Sequence, residues 1–153
     1  MLVTNSKGKQ IEVGPKMDLC EADLRGADLC GAILRGADLC EAILCEAILC
    51  GADLCEANLR GADLSRANLC EADLRWADLC EANLRWADLR GADLCEAILC
   101  EANLAKTTFC NANIDGAMVH PEDIGGPGHI LCSLTDEEWE WVQQGRDNKE
   151  KES

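Results

Sequence analysis

Between Leu19 and Leu104 a leucine falls at every fifth position, and that spacing excludes both regular elements of secondary structure. In an α-helix a step of five residues advances about 140° net, so the leucines would wander around the axis and form no stripe. In a β-strand an odd step sends successive side chains to opposite faces. Every leucine can point inward only if the chain turns within each pentad. A repeating turn with a fixed inward residue is a coil, and stacked coils make a solenoid.

The neighbouring sites keep the same register. Alanine stands two before the leucine from Ala22 to Ala102, and again at Ala112 and Ala117. Phe109, Ile114, Val119 and Ile124 continue the leucine column. One large and one small apolar residue per pentad fill a narrow interior, which suits a chain with no tyrosine, one phenylalanine and four tryptophans. The residue before the leucine is mostly Asp or Asn, as at Asp23, Asp28, Asn58 and Asn83, and such side chains bond nearby backbone at turns. Two after the leucine, glycine recurs at Gly26, Gly31, Gly36, Gly51, Gly61, Gly91 and Gly116, as a corner with positive φ requires. Glu and Trp share this site, so the corners are expected to differ in turn type.

A second period lies inside the first. At twenty-residue steps one corner column reads Glu21, Glu41, Gly61, Glu81, Glu101, and the column half a period away reads Gly31, Gly51, Glu71, Gly91, Asn111. Four pentads per coil give that pattern.

Tandem A(D/N)LXX, as in ADLCEANLRGADL at 52–64, resembles the pentapeptide repeat family. The resemblance runs from Met17 to about Pro121, or 21 pentads. It implies an all-β solenoid, a right-handed quadrilateral β-helix of about five coils with the leucine and alanine sites inside. At about 4.8 Å per strand the rod is roughly 25 Å long. Residues 1–16 are expected to be an N-terminal extension or cap, in which Leu2, Val3, Ile11 and Val13 are the apolar positions. Residues 122–145 read as a loop and a C-terminal capping helix, and 146–153 as a disordered tail. In LTDEEWEWVQQG, Thr135 is placed as N-cap and Glu138 completes a capping box. Trp139 pairs with Leu134 as a staple, and Trp139, Trp141 and Val142 form an apolar arc over the end of the rod.

The formal net charge of -15 argues against direct binding to nucleic acid or an anionic membrane, since both attract cations. No apolar run is long enough for a membrane span, and MLVTNSKGKQ lacks the apolar core of a secretory signal. Cytoplasmic location is the expectation. Eleven of the twelve cysteines directly follow the leucine site, and the twelfth is Cys132. They follow the repeat, not a disulfide framework, and their spacing puts neighbours on different corners where a zinc site needs converging ligands. No metal, cofactor or catalytic residue is expected. His120 and His129 sit in no nucleophile or metal motif, and a packed solenoid has no default pocket, so the chain reads as a non-enzyme.

The first functional expectation is a protein-binding scaffold. Its candidate contacts are Trp76, Trp86 and the corner of Glu21, Glu41, Glu81 and Glu101. Ile33, Ile43 and Ile48, which replace Asp or Asn on early coils, are a further candidate patch. The partner is another protein, with a homodimer through an end of the rod as a variant. The resemblance also implies an alternative, because quinolone-resistance relatives are dimeric rods that resemble DNA and bind gyrase. A DNA-mimic inhibitor of gyrase or another DNA-binding enzyme is that second expectation. A thiol-based redox or metal-buffering protein is the third. Many relatives of this type occur in cyanobacteria.

Overall fold

The structure, a computed structural model, describes residues 1–119. The capping helix read at 135–144, with Thr135, Glu138, Trp139 and Val142, lies outside the described residues, as do Ile124 and the loop and tail around them.

The chain returns beside itself every twenty residues. Parallel bridges join Asp18 to Asp38, Asp23 to Ile43, Asp28 to Ile48 and Ile33 to Asp53, and continue at that offset to Ile98 and Met118. Four pentads therefore make one circuit with four faces. Face I carries Leu19, Leu39, Leu59, Leu79 and Leu99, and faces II, III and IV follow at five-residue steps. The leucines from Leu24 to Leu94 are 0% exposed, and the alanines from Ala27 to Ala97 are at most 3% exposed.

In the inner circuits, a pentad with Asp or Asn before its leucine settles all five of its backbone N–H groups, as backbone shielded from water requires. In the pentad around Leu39, the Leu39 N–H donates to the Asn58 carbonyl (2.7 Å) and the Asp38 N–H to the Met17 carbonyl (2.9 Å). The corner N–H of Glu41 reaches the Arg60 carbonyl (2.8 Å), and the Ala42 N–H closes a turn on Leu39 (3.0 Å). The fifth N–H, of Cys40, donates to Oδ1 of Asp38 (3.1 Å). The same side-chain bond recurs from Cys20 to Asp18 and from Ser65 to Asp63. This explains the Asp or Asn before most of the leucines. Asparagine adds a cross-circuit bond where it follows an aspartate, as Asn58 Nδ2 donates to Asp38 Oδ1 and Asn83 Nδ2 to Asp63 Oδ1, both at 3.0 Å.

The corners do not differ as expected. Glu21, Glu41, Trp76, Glu81, Trp86 and Glu101 have φ between 54 and 65°, beside 61 to 67° at the repeat glycines. The corner is the third residue of the turn that the alanine N–H closes, while its own N–H bonds the next circuit, and a turn of this kind needs positive φ there. The ladder imposes that φ on whatever residue occupies the site, although an L side chain there costs on the order of 1–2 kcal/mol.

The N-terminal residues form a hairpin. β1 (Leu2–Thr4) pairs antiparallel with β2 (Gln10–Glu12). Val3 and Val13 are buried, whereas Leu2 is 66% exposed. Asn5 turns the hairpin and fastens it to the first circuit. Its Oδ1 accepts from the Lys7 and Lys9 N–H groups (3.0 and 2.9 Å), and its Nδ2 donates to the Asp23 carbonyl (2.8 Å). The Ser6 N–H adds a bond to the Arg25 carbonyl (2.7 Å). The hairpin thus covers the first circuit's free edge at Asp23 and Arg25, one part of an edge that a solenoid must protect.

At the other end the interior pattern loosens. Thr107 takes an alanine site, is 0% exposed, and donates through Oγ1 to the Leu84 carbonyl (2.7 Å). A buried hydroxyl is tolerated because it has this partner.

Candidate binding surface

Outward positions stack in register from circuit to circuit, so a column in the sequence is a stripe on the surface. Face I sets Asp18, Asp38, Asp78, Glu21, Glu41, Glu81 and Glu101 against Arg60 alone, a net charge of −6. Face IV sets Asp53, Asp73, Asp93, Asp115, Glu56 and Glu96 against Arg35 and Arg75, a net of −4. Face II, with Asp23, Asp63 and Glu46 against Arg25, Arg66, Arg85 and Lys106, is +1. Face III, with Asp28, Asp88 and Glu71 against Arg90, is −2. Faces I and IV adjoin, so acidity is concentrated on one half of the solenoid, with the other half nearly neutral.

The predicted contact residues fall into two groups on this surface. Trp76 occupies the turn from face IV to face I, inside the acidic half, and is 52% exposed. Its column places Glu56 and Glu96 one circuit to either side, and the Arg75 guanidinium lies 5.6 Å from its ring centre. Glu21, Glu41, Glu81 and Glu101 line the turn from face I to face II at the edge of the same half, all exposed. Arg60, in the column beside it, reaches up to Glu81 (3.0 Å). Trp86 stands on the far corner, between faces II and III, 49% exposed, with the Lys106 ammonium 4.2 Å from its ring centre. One flat partner cannot touch both tryptophans.

The isoleucine patch is not formed. Ile33, Ile43 and Ile48 bridge to Asp53, Asp63 and Asn68 and so lie on faces IV, II and III respectively. Five-residue neighbours in sequence sit on different faces. Only Ile98 has an apolar residue stacked on it, Met118, among these bridged pairs.

Not every cysteine is open to solvent. Cys55 is 0% exposed, covered where Arg35 and Arg75 reach across face IV. Arg35 bonds Asp53 (3.3 Å) and Glu56 (3.4 Å), and Arg75 bonds Asp73 in two-pronged fashion (2.6 and 2.8 Å). Asp53, Cys55 and Asp73 bring three ligand atoms within 4.8 Å of one another, but the two guanidiniums already occupy the carboxylates. Burial pushes the Cys45, Cys55 and Cys95 thiols up. Cys80 is pushed up to about 11, by burial first and then by Asp78. Raised thiols are poor nucleophiles at neutral pH.

Three carboxylates are shifted the other way. A bond from Lys7 holds Asp23 below the usual carboxylate range, and bonds from Arg75 and Arg90 do the same for Asp73 and Asp88. A depressed folded-state pKa contributes stability above the unfolded value of about 3.9 and loses it as pH falls through the folded value. The expected result is a gap in melting temperature between the wild type and Asp73→Asn/Asp88→Asn that is present at pH 7 and closes below about pH 4. Thermal melts across that range check it. Both pairs are partly solvated, so the gap is small and shrinks with salt.

No helix among the described residues is long and apolar enough to cross a membrane.

Stacked twenty-residue circuits with an aliphatic interior and charged outer stripes define a β-solenoid. The family model for pentapeptide repeats matches residues 22–61, 47–85 and 87–119, in 8 copies. The chain belongs to the pentapeptide repeat family, whose members form right-handed quadrilateral β-helices. Among solved structures it is similar to a pentapeptide repeat protein of the Arabidopsis thaliana thylakoid lumen, at 34% identity over 80% of this chain and 74% of that one, with a TM-score of 0.51. HetL of the cyanobacterium Nostoc sp. strain PCC 7120, involved in heterocyst differentiation regulation, is 31% identical over 69% and 67%, with a TM-score of 0.41. QnrB1, a plasmid-mediated fluoroquinolone resistance protein, is 19% identical over 84% of this chain and 65% of its own, with a TM-score of 0.58. That last likeness is one of fold alone. No curated protein matches the chain.

Proposed function

We propose that the protein is a non-enzymatic scaffold whose acidic half binds a basic surface of another protein, with Trp76 as the central anchor. The observation that supports this most is the place of Trp76, half exposed on the turn between the two acidic faces. A large aromatic ringed by charge has the make-up of an interface hot spot, and the surrounding carboxylates would steer a cationic partner toward it. The proposal includes about five coils closed by a capping helix at 135–144, and residence in the cytoplasm. Pairing of two copies end to end would lengthen the acidic half without changing it.

The test uses the full chain as bait in lysate of its native host under reducing conditions, with Trp76→Ala and Trp86→Ala as parallel baits. The expected result is a partner released by moderate salt, weakened about 30-fold by Trp76→Ala and unaffected by Trp86→Ala. Loss with Trp86→Ala alone would move the contact to the neutral half and overturn the reading. The concentration of charge on faces I and IV also favours a second reading, a DNA mimic. If the partner is gyrase or another DNA-binding enzyme and duplex DNA competes for it, that reading replaces the general one.

A further inference from the structure

One column of face III brings thiols together. Cys30 Sγ lies 3.6 Å from Cys50 Sγ, one circuit above it. Cys30 is exposed and Cys50 half-buried, and both are free thiols. Neither has a role in the binding surface described above, since face III belongs to the nearly neutral half.

The ladder decides what such a pair can hold. A disulfide needs sulfurs about 2.05 Å apart and Cβ atoms about 3.8 Å apart. In-register parallel strands keep stacked side chains about 4.8 Å apart and aimed in the same direction, so bond formation works against the backbone spacing. Tetrahedral zinc needs four converging ligands, whereas this column stacks Cys30, Cys50 and Cys70 side by side in one line without convergence. A two-coordinate ion fits better. Two-coordinate metal–sulfur bonds are slightly shorter than the ~2.3 Å of tetrahedral zinc, so two sulfurs in a line with the ion between them stand roughly 4.4 Å apart, close to the ladder spacing of about 4.8 Å. The sulfurs need only swing apart by about 1 Å, within the reach of a side-chain torsion at a solvated site.

We propose that Cys30 and Cys50 bind one soft, two-coordinate d10 cation between adjacent circuits, with Cu(I) the ion that thiolate ligands select. Each sulfur donates an electron pair to the ion as its thiol proton passes to solvent, and no electrons are transferred. The ion adds a tie on face III between two circuits already joined by backbone bonds, the core and the Arg35 contacts to Asp53 and Glu56 on face IV, and it binds only where the circuits are stacked. Occupancy therefore stabilises the folded chain.

The experiment titrates the reduced full-length protein with Cu(I) against a Cu(I)-specific chelator, followed by native mass spectrometry and X-ray absorption at the copper edge. Two variants are compared. Cys30→Ser/Cys50→Ser removes the stacked pair. Cys45→Ser/Cys95→Ser removes two thiols whose columns place Arg25 and Ser65, or Arg75 and Asp115, next to them. The expected result is loss of one copper equivalent in the first variant and none in the second, with two sulfur neighbours per ion and a higher melting temperature on loading. Equal loss from both variants would mean that binding follows thiol number and not stacking, and would overturn the proposal. Three or four sulfurs per ion would do the same, as would an unchanged stoichiometry in the first variant. Circular dichroism of the metal-free variants confirms that each retains the solenoid, so a lost equivalent is not a lost fold.

Discussion

Leu69→Asp should lose more than about 4 kcal/mol of stability, enough to unfold the centre of the solenoid. Leu69 is 0% exposed, with Leu49 and Leu89 in the circuits on either side and Ala67 and Ala72 beside it in its own. Removing the leucine forfeits about 1.5–3 kcal/mol of apolar burial. The carboxylate then sits among aliphatic groups with no donor to meet it, because the nearby N–H groups are already used. Leu69 itself donates to the Asp88 carbonyl at 2.7 Å, and Ala72 to the Leu69 carbonyl at 3.1 Å. An unpaired buried carboxylate adds a few kcal/mol more, whether it stays charged or takes up a proton. The informative control is the same residue one position earlier. Asn68→Asp should change stability by about 0.5 kcal/mol or less, since aspartate there caps the turn as it does at Asp63 and Asp73. Leu69→Met, which keeps volume, should cost less than about 1.5 kcal/mol. Urea unfolding followed by circular dichroism measures all three. A Leu69→Asp midpoint near that of the wild type would overturn the inward assignment of the leucine column. Each circuit touches only its neighbours, so the lesion should also uncouple the two ends and broaden the transition.

The interior was legible because a one-dimensional repeat writes its geometry at every period. Leucine at each fifth site and alanine two before it left one arrangement in which both point inward, and the twenty-residue alternation of Glu and Gly columns fixed the return of the chain beside itself. The capping role of Asp and Asn was equally readable, since a short acceptor two residues before an unpaired N–H has few other uses. What escaped depended on neighbours a circuit away. By local preference Glu and Trp call for a different turn from glycine, but bonds to the next circuit set φ whatever the residue. Ile33, Ile43 and Ile48 looked like a patch because they are close in sequence, whereas the fold makes neighbours of residues twenty apart. Cys55 is buried through the reach of Arg35 and Arg75 from adjacent circuits, and arginine rotamers leave no trace in a repeat pattern. The division into acidic and neutral halves was present in the sequence all along, but it appears only when charges are summed by face instead of by length. The two tryptophans were singled out correctly as exposed. Their separation onto opposite corners, now joined to the charge map, is what divides one candidate contact set into two.

The left-handed corners allow a test of the same ladder from outside. Gly31→Val/Gly51→Val/Gly91→Val, a triple change down one corner column, should cost about 3 kcal/mol. Added side chains have room there. Nothing lies within 4 Å of a Cβ at Gly31 or Gly51, and at Gly91 the nearest atom is Glu71 Cγ at 3.4 Å. The penalty is therefore almost wholly one of backbone conformation, with φ at 63, 63 and 67°. A left-handed residue with a Cβ costs about 1–2 kcal/mol, more if branched, and the stiffer unfolded chain returns about 0.5–1 kcal/mol of it at each site. Gly31 and Gly51 stack directly, so those two changes are expected to couple and the single variants belong in the series. The mirror experiment replaces Glu21, Glu41 and Glu81 by glycine, and it should leave stability unchanged or raise it by about 1–2 kcal/mol, the relief of φ outweighing the added chain entropy. Thermal unfolding of both triples decides the matter, and a valine triple as stable as the wild type would show that the corner N–H bonds do not hold φ in place. A gain in the glycine triple has a further meaning. The protein then carries strain at the Glu21–Glu101 corner that the fold does not need, and strain kept where glycine would serve better points to a use for the side chains. The same reasoning applies to Trp76 and Trp86, where the largest of all side chains occupies corners at φ 57 and 65°, and it is the place of Trp76 in the middle of the acidic half that sets it apart.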